Sequence, residues 1–170
     1  YSGDVWWPLV MVRMVTTPHD DINIHFLELL LRERQFDVFQ PTLRLLFPNF
    51  NIKTSNPLLT LQYFKYQWTI DEDKKKTIQN LKCLIYNLMK NKSDSNILSN
   101  FVVYYVDWSL TFSGRSQESL NEAIVLLKQI LSTPKQNYII WQRWATVNYK
   151  IYQLLPKEDK GKNSYAIEAM

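Results

Sequence analysis

The stretch Glu118–Tyr152, ESLNEAIVLLKQILSTPKQNYIIWQRWATVNYKIY, limits what this chain can fold into more than any other. Its first half carries Leu120, Ala123, Ile124, Leu127, Ile130 and Leu131 at the three-four spacing of one helix face. Ser119 followed by Glu122 reads as a capping box, in which hydroxyl and carboxylate each satisfy a free backbone N–H. Pro134 stops this helix, because its ring cannot continue the hydrogen-bond ladder. The second half restarts with Trp141, Trp144, Ala145, Asn148, Ile151 and Tyr152 on one broad face. Two such helices joined by about five residues make an antiparallel hairpin. The pair has more apolar surface than it can cover alone, so it must stack on neighbours.

The same demand recurs along the chain. Thr17-Pro18-His19-Asp20 reads as a helix start, with Thr17 as N-cap, followed by Ile22, Phe26, Leu29 and Leu30 on one face. Phe36, Phe39, Leu43 and Leu46 form a short second helix with Pro41 as a kink. Asn56-Pro57 opens a third, and Asp71, Glu72 and Asp73 open a fourth whose Ile78, Leu81, Leu84, Ile85, Leu88 and Met89 are the most regular series present. Ile97–Thr111 is ambiguous: VVYYVDW suits a strand by propensity, whereas its length, its helical neighbours and the lack of a partner strand favour a helix ended by Gly114. Asp4–Thr16 carries a similar strand ambiguity, and Ser164 starts the last helix after a lysine-rich loop from Pro156.

Helices are thus expected to begin near residues 4, 18, 36, 57, 73, 97, 119, 136 and 163. Paired, they give units of very roughly 35–45 residues, in the range of tetratricopeptide and HEAT repeats. The expected fold is all-α: an α-solenoid of antiparallel helix hairpins over residues 1–155, with 156–170 as a loop and the start of a next helix. A compact helical bundle is the alternative. Composition agrees, since 46% hydrophobic and 14% aromatic residues argue for a packed interior. Only three glycines among 170 residues disfavour hairpin-rich β folds and phosphate-cradling loops. The lone Cys83 permits no internal disulfide, and a small packed thiol in a reducing setting is expected. The chain begins YSGDVWW without a methionine and ends NSYAIEAM like a helix cut in mid-turn, which reads as a fragment of a longer protein.

Catalytic patterns are not found. His19 and His25 fall on different helix faces, and the acidic pairs sit in first helical turns where the helix dipole explains them. No phosphate loop, nucleophile elbow or zinc spacing occurs. A net charge of +4 falls well short of a nucleic-acid-binding composition. No apolar run has transmembrane length. The aromatic residues at helical spacing, Trp6, Trp68, Trp108, Trp141 and Trp144, are expected to form structural core.

Several motifs are similar to a known family. Trp6, Met11-Val12-Arg13 and Thr17-Pro18-His19-Asp20-Asp21 resemble the FAT region of target-of-rapamycin (TOR) kinases, within the phosphatidylinositol-3-kinase-related kinases. A second match runs through Trp108, Leu110, Gly114, Tyr138, Trp141, Trp144-Ala145 and Asn148 without a gap, and Asn56-Pro57 with Tyr63, Lys65 and Trp68 fits between. The resemblance implies a non-catalytic helical-repeat arc that clamps and regulates the kinase domain of a serine/threonine protein kinase in nutrient and growth signalling. It implies ATP and magnesium sites in the parent chain but none in this segment. It also implies an inositol hexakisphosphate pocket, for which Arg34 and Lys65 are the candidate ligands, although Ile139 stands where the family has lysine. Implied partners are the parent's own kinase domain and TOR-complex subunits, a Raptor-type HEAT scaffold and a β-propeller. The implied location is cytoplasmic, with recruitment to an endomembrane surface. A free-standing helical-repeat adaptor is the first competing class, and a basic helical nucleic-acid binder is the second.

Overall fold

The computed structural model describes residues 19–70, 73–91, 94–112, 116–132 and 138–170. Among them there are eight helices and no strand: α1 (Asp20–Arg32), α2 (Phe36–Leu46), α3 (Pro57–Ile70), α4 (Lys74–Lys90), α5 (Ser95–Phe112), α6 (Gln117–Leu131), α7 (Tyr138–Leu154) and α8 (Lys162–Glu168). The all-α expectation holds, and each described helix starts within a few residues of its expected position. The expected helix over 4–16, Trp6, Thr17, Pro18, Asp71, Glu72, Gly114 and Pro134 lie outside the described residues.

The chain forms two compact units, residues 1–72 and 73–170. In the first, α1, α2 and α3 each touch the other two. Their shared core is Ile24, Phe26, Leu27, Leu30, Phe39, Leu43, Leu59 and Tyr66. Phe39 stacks on Tyr66 with ring centroids 4.5 Å apart and planes 16° from parallel, joining α2 to α3. The apolar face of α1 is rotated from the expected one. Ile22 is largely exposed, while Asn23, Ile24 and Leu27 are buried. Two partners, α2 and α3, cover α1 from two sides, so its buried sector is wider than a single stripe. Helix α2 runs through Pro41, whose missing N–H falls on an exposed side.

In the second unit each helix from α4 to α8 packs on the next, and α5 also reaches α7. Helix α5 is the ambiguous VVYYVDW segment. It is buried at Leu98, Phe101, Val102, Tyr105, Val106 and Trp108, and it touches α4, α6 and α7. The buried positions repeat at three and four residues, but half-buried Val103, Tyr104 and Leu110 fill the spaces between them, which blurs the period in the sequence and leaves the β-branched and aromatic composition to suggest a strand.

Helix starts show where local signals worked. Asp73 accepts from Lys76 N–H at 3.0 Å, as an N-cap should. Asn56 accepts from Leu58 N–H at 2.9 Å with Pro57 as first helical residue. The expected capping box at Ser119 and Glu122 is not formed: α6 already begins at Gln117 with Ser116 as N-cap. Glu122 is held instead by tertiary partners, Tyr105 Oη at 3.3 Å and Lys82 Nζ at 2.7 Å. A charged and a phenolic donor from neighbouring helices offer more than one terminal N–H.

Arg34 stands after the end of α1 with φ 57°, in the left-handed region. Gln35 N–H donates to Leu30 C=O at 2.8 Å and Arg34 N–H to Leu31 C=O at 3.2 Å, the bond pair of a Schellman cap. That position favours glycine, because a Cβ there crowds the backbone. Arg34→Gly is expected to stabilise the first unit by about 0.5–1 kcal/mol, read as a rise in the urea midpoint at unchanged slope. A lower midpoint would show that the arginine side chain contributes more than its backbone costs.

Candidate functional site

The sequence singled out two kinds of residue, the Arg34/Lys65 cation pair and the tryptophans. Lys65 lies in a groove of about 490 Å³ between α1 and α3, with His25, Glu28, Arg32 and Gln62. Its ammonium is 3.6 Å from Glu28, whose other oxygen is 3.5 Å from His25 Nδ1. Arg34 is exposed on the cap beyond α1 and is not among the residues lining this groove. The structure therefore pairs Lys65 with Arg32 rather than with Arg34. A signal for Arg32 was present: His25, Glu28 and Arg32 recur at three and four residues on one face of α1. Gln62 Oε1, deep in this wall, has no hydrogen-bond partner among the described residues.

This donor set does not fit an inositol polyphosphate. Among the described residues Arg32 and Lys65 are its two permanent cations, and Glu28 opposes them at contact distance from Lys65. An acceptor such as Gln62 Oε1 adds nothing for an anion. Ile139 belongs to the other unit.

The tryptophans divide. Trp108 is buried and its ring lies 5.4 Å from that of Tyr104. Trp68 and Trp144 are half-buried. Trp141 is 47% exposed, which corrects its expected place in the core. The buried stripe of α7 is Ile140, Val147, Asn148 and Ile151, rotated by roughly 60° from the expected face on a helix that turns 100° per residue. Helices α5 and α6 both press on α7, and the narrow β-branched side chains fit that seam while the larger indoles are left at its flank. Cys83 is exposed, not packed, because α4 buries Thr77, Leu81, Ile85 and Leu88 and presents position 83 on the opposite side.

Polar networks among the described residues tie helices of the second unit together. Arg143 Nη2 donates to Asp107 Oδ2 at 2.8 Å, and its Nε makes a charge contact with Oδ1 at 2.6 Å without hydrogen-bond alignment. This fork joins α5 to α7. The second network is Lys82, Glu122 and Tyr105, joining α4, α6 and α5. Burial raises the Tyr105 phenol well above its ordinary value of 10.0, and the Glu122 charge adds to the rise. The folded state thus holds this proton more tightly than the unfolded chain does. Its contribution is fully present below pH 10.0 and is lost as the pH climbs beyond it. Unfolding free energies across this range are expected to fall less steeply in Tyr105→Phe than in the parent chain. Equal slopes would mean that the phenol does not govern alkaline stability.

Among the described residues no group of three or more His, Cys, Asp or Glu side chains is placed to hold a metal ion. No described helix is long and apolar enough to cross a membrane. The chain matches no family model, no curated protein and no solved structure.

Proposed function

We propose that this chain is a helical-repeat scaffold segment of a TOR-type serine/threonine kinase, which clamps and regulates a kinase domain elsewhere in the parent chain. The observation that carries the proposal is the packing order of the second unit, in which each helix rests on the next while α5 reaches past α6 to α7. Neighbour and next-neighbour contacts of this kind are what stacked helix hairpins make. They support a reading of the second unit as stacked helix hairpins, beside the resemblance carried by the Trp6–Asp21 and Trp108–Asn148 motifs. In such a row each hairpin is stabilised by its neighbours, so strain at one passes to the next. An arc built this way would restrain a gripped kinase cleft, and a partner that bends the arc would release it. ATP and magnesium belong to that kinase domain. The partners would be scaffold and propeller subunits of the TOR complex, at a cytoplasmic or endomembrane surface.

The test is the gene itself. A protein kinase domain is expected downstream in the same reading frame, and a frame that stops shortly after codon 170 would overturn the proposal. With the parent protein in hand, Asp107→Ala, which loosens α5 against α7, is expected to change the phosphorylation rate while leaving the KM for ATP unchanged. A second reading, a free-standing peptide-binding adaptor, is favoured by the aromatic groove beside Trp141, and the early stop codon would select it.

A further inference from the structure

We propose that the groove between α6, α7 and α8 docks a polypeptide segment of a partner protein that carries a basic and an acidic side chain on either side of an apolar one. The groove measures about 520 Å³, room for a few side chains rather than for a folded domain. Its middle is Trp141, Trp144 and Asn148 of α7. Trp141 is 47% exposed there, and Asn148, at 1%, forms the floor, its amide donating to Trp144 C=O at 2.9 Å.

Helices α6 and α8 each pack on α7 and make the two banks. One bank carries Lys128 and the other Glu168. Neither has an ion-pair partner among the described residues. Trp144 Nε1–H donates to Glu168 Oε2 at 3.2 Å, which holds the carboxylate at the groove and leaves its other oxygen to accept. A basic side chain laid here meets that oxygen and the indole faces, which attract cations through their quadrupoles. The same pair of helices already shows this preference beside the groove, where Lys162 Nζ of α8 sits 4.7 Å above the Tyr152 ring of α7. An acidic group on the far side of the segment meets Lys128. The apolar residue between them covers Trp141 and the half-buried Ile124. Charge complementarity thus disfavours uniformly charged partners, since a polyanion meets Glu168 and a polycation meets Lys128.

The test selects heptapeptides from a random display library on the full chain. The expected enrichment is for one basic and one acidic residue flanking an aliphatic or aromatic one. A selected peptide, synthesised and titrated, is expected to shift the Trp144 indole N–H resonance saturably. Its Kd is expected to weaken about two- to fivefold in Glu168→Gln, which keeps an acceptor for Trp144, and similarly in Lys128→Gln. Melting curves of both variants should match the parent, since both side chains are exposed. No enrichment, enrichment without charge preference, or Kd values unmoved by both variants would each overturn the proposal. So would a concentration-dependent dimer that protects Trp141, because the occupant would then be a second copy of the chain.

Discussion

Phe101→Ala is expected to cost the second unit about 3–5 kcal/mol, whereas Trp141→Ala costs less, about 1–3 kcal/mol. Phe101 is completely buried in α5, the helix that α4, α6 and α7 all touch. Truncation there removes the transfer energy of the ring and leaves a hole that several helices would have to close together. Such packing relaxes only in part, which is why the cavity adds to the loss. Trp141 is larger, but half its surface already faces water, so its removal loses only the burial of the other half and leaves no closed cavity. A loss of this size is a large share of the stability of an ordinary domain. Urea titration followed by far-ultraviolet circular dichroism separates the two variants. If Trp141→Ala proved the more damaging, the burial pattern of α7 described above would be wrong.

Asp107→Ala is expected to cost about 1–2 kcal/mol, and pairing it with Arg143→Met to restore most of that loss. The carboxylate is 41% exposed, which moderates the energy through solvent screening. The guanidinium is less exposed, at 23%, and it is the group left without its counter-charge when Asp107 is removed. Replacing both by apolar groups removes that penalty along with the bond. Denaturation of the two single variants and the double variant closes a cycle whose coupling energy measures the α5–α7 tie directly. Strictly additive losses would show that the pair does not hold these helices together.

The elements themselves were legible where local chemistry and tertiary demand agreed. Pro57 after Asn56, Asp73 before the lysines of α4, and the stripe of Leu81, Ile85 and Leu88 each point the same way at both levels. The misreadings share one physical origin, that a side chain's size or polarity does not say which neighbour will claim it. Glu122 suits a capping box, yet Lys82 and Tyr105 bind it from two other helices. The bulk of Trp141 suggests core, yet Ile140 and Val147 take the seam. The Lys65 groove was legible in part, since the cation was found but its neighbour Arg32 and its opponent Glu28 were not. Pairs of that kind depend on how α1 and α3 are turned against each other, and one sequence gives no measure of that rotation.

The sequence by itself determined that the described chain is helical, and nearly where each helix begins. Scarce glycine, well-placed prolines and three-four apolar spacing act within single turns and need no partner. Only the tertiary structure decided that VVYYVDW is a helix touching three others, that Trp141 of α7 stays half in water, and that Lys128 and Glu168 line one groove with it. Those outcomes depend on packing between segments far apart along the chain, where a rotation of less than one residue step changes which side chains stay dry.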